Sequence, residues 1–414
     1  MDLFDLFSLL IVATALFSYL NTRLLKLPGA IGVMVLSLGV SLLLNSLNSI
    51  RPEWLQLVRE TVAQIDFDKV VFDIMLSFLL FAGAFHTDAA QLRVERRSVI
   101  LFAFVGVMLS TFLIGSGLYL LANWLVLNMS YPVCLLFGAL ISPTDPIAVL
   151  GILGKFKLPE SVKINIVGES LFNDGVGVVV FATIYQVVLN GTDSISGGEV
   201  AWLFVKEAGG GIVLGLAIGY GLFLVLRSID HYQTEIIVTV AAVMGGYLLA
   251  RYMHVSGPLA MVVAGLLMGH NAQPNVMSEL TEEYVDRFWE TIDVILNALL
   301  FVLIGFELLL IDFEVSQWTI YVLVVLLVLM SRYIAILLPF SLARRWLDLD
   351  DKAPLLLTWG GLRGGLSIAM ALSIDSSVPE KDFIVTITYA VVLFSVIGQG
   401  LTMERLIRRL YPGQ

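Results

Sequence analysis

Charge is what this 414-residue chain has least of. Asp, Glu, Lys and Arg make up only 14% of it, hydrophobic residues 58%, and the mean hydropathy is +0.91. A soluble globular domain carries about 25% charged and about 45–50% apolar residues. The composition excludes a soluble fold and points to a polytopic membrane protein. Cysteine is nearly absent: Cys134 alone cannot form an intramolecular disulfide, and in its apolar run it reads as a small packing residue. The four histidines, His86, His231, His254 and His270, lack metal-ligand spacing. No phosphate-cradling Gly-rich loop, nucleophile elbow or dinucleotide fingerprint occurs, so neither an enzyme nor a bound cofactor is expected. The net charge of −10 sits largely in loops, and no nucleic-acid partner is expected. The start, Met1-Asp2-Leu3-Phe4-Asp5, lacks the positive region and cleavage site of a signal peptide, so the first apolar run reads as a retained helix.

What the chain does have is long apolar runs. A membrane-crossing helix needs about 20 mostly apolar residues. Thirteen candidates follow: 3–20, 28–48, 70–86, 98–127, 132–154, 164–190, 200–226, 233–251, 256–269, 288–312, 317–340, 354–374 and 384–404. The fold expected is therefore an all-α polytopic membrane protein. With the N-terminus outside, the inner loops collect sixteen Lys and Arg residues, among them Arg93, Arg96, Arg97, Lys155, Lys157, Arg344 and Arg345. The outer side has five: Arg51, Arg59, Lys69, Arg251 and Lys381. That bias satisfies the positive-inside rule and places the C-terminus in the cytoplasm. The stretch Pro52 to Lys69 mixes charges with Trp54, Leu55, Val58 and Val62, and reads as an amphipathic external helix. Lys206 can snorkel outward. Arg332 and Arg363 cannot, and need buried anionic partners.

Four polar islands lie at membrane depth, where each charged group costs about 2.5–3.5 kcal/mol on insertion scales. The first is Ser142-Pro143-Thr144-Asp145-Pro146, whose two prolines break the helix ladder. Such a break is tolerated only against protein or water, and it exposes carbonyls and half-helix ends to an ion. The second is Glu169, Ser170, Asn173 and Asp174. Helical spacing stacks Ser170 under Asp174 and Glu169 under Asn173. A carboxylate, a hydroxyl and an amide oxygen form a hard-oxygen site for Na⁺ or Li⁺, and the same carboxylate can hold a proton. The third is Arg332. The fourth is Gly360-Gly361-Leu362-Arg363-Gly364-Gly365, whose glycines unwind a helix or admit another backbone. Glu169 and Asp145 can balance Arg332 and Arg363, which leaves Asp174 without a fixed counter-ion. Arg332 is assigned to Glu169, with Arg363 the alternative partner. The breaks fall in spans five and twelve. Spans one to six and eight to thirteen then form two six-helix repeats, inverted by an odd offset, the arrangement of a secondary transporter with a midplane site.

The strings Ser142-Pro143-Thr144-Asp145-Pro146-Ile147-Ala148-Val149, Gly168-Glu169-Ser170-Leu171-Phe172-Asn173-Asp174-Gly175 and Gly361-Leu362-Arg363-Gly364-Gly365 closely resemble sodium/proton exchangers of the monovalent cation:proton antiporter-1 family. The run from Phe288-Trp289-Glu290 through Asn297 to Gly305 is similar to another segment of it. The resemblance implies a thirteen-helix inverted-repeat fold, a homodimer, and a core that moves against a dimerisation domain. On this chain the dimerisation helices would be 1–97 and 233–316, the core 98–190 and 317–414, and the linking helix 191–232. It implies that Asp174 carries the ion, with Ser170, Asn173 and Thr144 helping, and with Glu169, Arg332, Arg363 and Asp145 in support. Many relatives carry a glutamate where Leu79-Leu80-Phe81-Ala82-Gly83-Ala84 has Ala82, and Asp73 lies too far away to replace it.

The activity expected is exchange of Na⁺ (or Li⁺) for H⁺ across the cell membrane, with no cofactor, by competition of the two ions for one buried carboxylate. Asn173 stands where a second acid could sit, so exchange is expected to be electroneutral. K⁺/H⁺ exchange is the alternative. A cation channel or a proton-coupled solute transporter fits the interrupted helices and few small ligands less well.

Overall fold

The computed structural model describes residues 3–46, 52–62, 64–191, 197–269, 277–311 and 317–412. Arg51 and His270 lie outside them. The apolar runs fold as helices throughout. The first are α1 (Leu3–Leu20), α2 (Gly29–Ser46), α3 (Pro52–Val62), α4 (Leu76–Phe85) and α5 (Arg96–Trp124). Then come α6 (Tyr131–Ile141), α7 (Ile147–Leu153), α8 (Glu160–Asn190), α9 (Gly197–Leu226), α10 (Tyr232–Met253) and α11 (Gly257–Met268). The chain closes with α12 (Glu279–Glu307), α13 (Trp318–Ala343), α14 (Ala353–Gly360), α15 (Gly365–Leu372) and α16 (Lys381–Leu410). Among the described residues nine helices are long and apolar enough to cross a membrane, and α6 and α11 are shorter apolar ones.

Two expected spans are split. The fifth is α6 and α7 around Ser142 to Pro146, and the twelfth is α14 and α15 around Gly361 to Gly364. At the crossing, the Asp145 N–H donates to the Leu362 carbonyl at 2.7 Å as an isolated antiparallel bridge. Each break thus satisfies part of the other's backbone, which lipid could not do. The crossing is tight. A Cβ at Gly364 would come 2.7 Å from the Asp145 Cβ.

The external helix differs from the sequence expectation. It ends at Val62, and Phe67–Lys69 is a separate helical turn running through a π-helical stretch, Val70–Met75, into α4. Phe67 is buried, so this turn belongs to the following span. Three further π-helical stretches occur: Asn21–Leu25 after α1, and Leu101–Gly106 in α5 and Phe394–Gln399 in α16, which shift the register of those two helices.

Packing divides the apolar side chains into two main clusters. One draws on α1, α2, α5 to α8, the second half of α12, and α13 to α16. The other draws on α4, α9, α10, α11 and Trp289 of α12. Phe72, Val178 and Leu366 pack against both. The start of α12 is tied down outside the span: Asp230 accepts hydrogen bonds from Ser278 at 2.8 Å and Thr281 at 2.9 Å, which hold its carboxyl below the usual range.

Replacing Gly364 with valine forces the crossing apart. Overpacking of this kind costs about 1–3 kcal/mol. The apparent melting temperature of the detergent-purified protein is expected to fall, and an unchanged melt would show that the crossing yields freely.

Candidate functional site

The site begins with the ends of the broken helices. Helix C-termini carry unpaired carbonyls and partial negative charge, and N-termini the reverse. Arg363, 2% exposed, donates through Nη1 to the carbonyls of Ser142 and, at 2.8 Å, Pro143, at the C-terminal end of α6. Its own N–H donates to Ser395 Oγ at 2.8 Å. Ser395 donates in turn to Gln399 Oε1 at 2.7 Å, within the π-helical stretch of α16. Arg332 Nη1 lies 2.5 Å from Glu169 Oε1, with both side chains almost fully buried. Its Nη2 donates to the Leu357 carbonyl, in the last turn of α14, at 3.3 Å. Gly361 leaves room for this guanidinium; a Cβ there would lie 2.8 Å from Nη2.

The N-terminal ends share Asp145. Its Oδ1 accepts from the Ile147 N–H at 2.9 Å, at the start of α7. Its carboxylate also rests against Gly364, just before α15. Arg363 therefore contacts backbone, and Arg332 is the arginine in contact with Glu169.

Thr144, between the two prolines, is knotted to α8. Asn173 Oδ1 accepts from the Thr144 N–H at 3.1 Å, and Asn173 Nδ2 donates to Thr144 Oγ1 at 2.7 Å. The hydroxyls of Thr144 and Ser170 lie 2.9 Å apart. All three side chains are buried.

Asp174 follows Asn173 on α8 and faces elsewhere. Among the described residues its carboxylate has no hydrogen-bond or ion-pair partner. It lines a cavity of about 520 Å³. Thr144 and Asp145 from the break, Leu79 and Gly83 from α4, His86 just after it, and Gly364 also line it. The last wall is one face of α12: Asp286, Glu290, Asp293 and Asn297. A carboxylate beside hydroxyl, amide and backbone oxygens can take a proton or a small hard cation.

Ala82 is fully buried and does not line the cavity. Asp73 pairs with Arg251 at 3.3 Å near the surface. The acidic face of α12 was not singled out in the sequence. Its signal is the spacing 286, 290, 293 and 297, which keeps four polar groups on one helical face.

The family model for the transmembrane sodium/hydrogen exchanger matches residues 11–409. The chain is 45% identical to the Na(+)/H(+) antiporter NhaP of Pseudomonas aeruginosa, over 99% of this chain and 97% of that protein. It is 35% identical to the Na(+)/H(+) antiporter NhaH of Halobacillus dabanensis, over 97% and 96% respectively. The fold superposes on the sodium proton antiporter MjNhaP1 of Methanocaldococcus jannaschii with a TM-score of 0.77, at 23% identity and 99% coverage of both chains.

Removing one partner of a buried pair strands the other charge, at about 3–5 kcal/mol. Glu169→Gln and Arg332→Ala are expected to lower the apparent melting temperature strongly, whereas Asp174→Asn leaves it unchanged or raises it. The comparison is read from thermal melts in one detergent; equal losses in all three variants would contradict it.

Proposed function

Because the chain belongs to the sodium/hydrogen exchanger family, we propose that it is a Na⁺/H⁺ antiporter of the multi-pass membrane type and that Asp174 is its exchanging group. One observation carries this assignment. Of the two cavity carboxylates at the broken backbone, Asp145 is engaged by the Ile147 N–H, while Asp174 has no hydrogen-bond or ion-pair partner among the described residues; the other charged groups of the crossing are engaged too.

The ionised carboxylate attracts Na⁺, and protonation removes that attraction, so the two ions compete. Thr144, Ser170 and Asn173 hold the break against α8 and supply oxygens to a cation. Glu169, Arg332, Arg363 and Asp145 keep the crossing in place. A site that presents one titrating carboxylate to either side in turn exchanges one H⁺ for one Na⁺ and moves no net charge. Li⁺ fits the same hard-oxygen chemistry.

The reading extends to the whole molecule. Thirteen spans run from an outer N-terminus to a cytoplasmic C-terminus in the cell membrane, and a homodimer forms through the helices within 1–97 and 233–316. The core, 98–190 and 317–414, carries the ion, and the helix within 191–232 links the two. The cavity mouth, beside His86 and Asp286, is then cytoplasmic.

In everted membrane vesicles, Asp174→Asn is expected to abolish the pH-gradient change that Na⁺ addition causes; full activity would remove Asp174 from the mechanism. Competition also fixes a pH response. Acidification is expected to raise the apparent KM for Na⁺ while the maximal rate at saturating Na⁺ holds. A fall in maximal rate at constant KM would point to a separate proton site.

A further inference from the structure

A small third cluster of apolar side chains stands apart from the two main ones. Leu92, in the short helix Ala89–Val94, and Val99 of α5 cluster with Ile164 of α8, and Phe172 and Leu266 pack against them. Gly168 permits this close approach: a Cβ there would lie 2.8 Å from Leu92 Cδ1 and 3.0 Å from Val99. Beside the cluster runs an open groove of about 220 Å³. Its apolar walls include Leu92, Val99, Phe172 and Leu266, and Arg93 and Arg96 complete them. Among the described residues none that lines it is acidic.

The arginines are left uncompensated by the way the neighbouring acids fold. Glu95, between them in sequence, is buried. Its Oε2 accepts from Ser98 Oγ at 3.0 Å, and Asn165 Nδ2 lies 3.4 Å away. Asp88 caps the short helix, accepting from the Ala90 N–H at 2.8 Å and the Gln91 N–H at 3.1 Å. Arg93, Arg96 and Arg97 are exposed, and among the described residues their side chains meet no ion-pair or hydrogen-bond partner. Val94 and Ile100, 79% and 50% exposed, flank them. Arginines beside exposed apolar side chains suit a membrane interface, with stems in hydrocarbon and heads at phosphate depth. A soluble anion answers only the charge, and a hydrocarbon only the apolar walls. An amphiphile with a phosphate and an acyl chain answers both.

We propose that this groove holds an anionic phospholipid, its phosphate on Arg93 and Arg96 and one acyl chain along Leu92, Val99, Phe172 and Leu266. Guanidinium suits the headgroup because its planar N–H groups can bond two phosphate oxygens at once. Arg97, outside the groove, adds attraction toward an anionic leaflet. The site rests on the antiporter reading for its place in the cytoplasmic leaflet, and on the groove itself for binding. In that reading Phe172 travels with the core and Leu266 stays with the dimerisation helices, so the acyl chain bridges the sliding boundary. A lipid that fits the groove as it stands favours this arrangement of the two bodies.

The test is photolabelling in vesicles of phosphatidylcholine and phosphatidylglycerol, about three to one. A trace of one lipid or the other carries a diazirine in its acyl chain. The phosphatidylglycerol probe is expected to label peptides that contain Leu92, Ile100 or Leu266, and the phosphatidylcholine probe to leave them unlabelled. Equal labelling by both probes, or none in these peptides, would overturn the proposal whether or not any variant folds. Each arginine near the surface is worth about fivefold in affinity, so Arg93→Gln with Arg96→Gln should cut the labelling about thirtyfold. Unchanged labelling would also overturn it. In detergent, phosphatidylglycerol is expected to raise the melting temperature of the wild-type protein and inorganic phosphate to leave it unmoved. An equal rise with phosphate would make this a simple anion site and remove the lipid. Labelling needs no transport: should Asp174→Asn retain exchange, the assignment of Asp174 falls while the lipid site stands.

Discussion

Two helices interrupted inside the membrane must have their backbone ends answered by protein, and everything at the site follows from how this is done. Each helix end behaves roughly as half an elementary charge, positive at the N-terminus and negative at the C-terminus. The crossing gathers four such ends. Arg363 sits on the C-terminal carbonyls of α6, and Arg332 reaches the last turn of α14. Asp145 sits at the start of α7 and against the residue before α15. The two negative ends and Glu169 together offset Arg363 and Arg332, and the two positive ends offset Asp145. The sum is close to neutral without Asp174.

That neutrality leaves Asp174, the proposed exchanging group, without a fixed counter-ion. Had Arg363 paired with Asp174, a cation would have to displace a guanidinium. Had Asp145 lacked its helix ends, its charge would stand unanswered beside that of Asp174. The assignment of Asp174 therefore depends less on its own surroundings than on the complete engagement of its neighbours.

Much of this was legible in the sequence, for a physical reason. Charges within apolar runs are so costly that Glu169, Asp174, Arg332 and Arg363 stand out singly, and the prolines and glycines at the breaks mark where helices cannot continue. The partner of Arg363 was not legible. Its partners are carbonyls, which every residue has, and the Ser395 hydroxyl that accepts from its N–H, itself held by Gln399, lies in the π-helical stretch of α16. The face of α12 was overlooked because Asp286 and Glu290 lie near the beginning of an apolar run, where charge is ordinary. The end of the external helix at Val62 was equally hidden, since the charged residues Asp66, Asp68 and Lys69 beyond it resemble those within it.

The knot around Thr144 bears on how the proposed exchange changes sides. Asn173 both accepts from and donates to Thr144, and Ser170 meets the same hydroxyl, so α8 and the break are tied through three buried contacts. Moving α8 without the break would leave those groups unpaired in a low-dielectric interior. Moving α8, the crossing and their arginines together leaves them intact. Sliding is least costly where contacts are apolar and non-directional, and the two packing clusters meet through Phe72, Val178 and Leu366. The hydrogen-bonded crossing is thus suited to travel as one body, and the apolar boundary beside the cavity to yield.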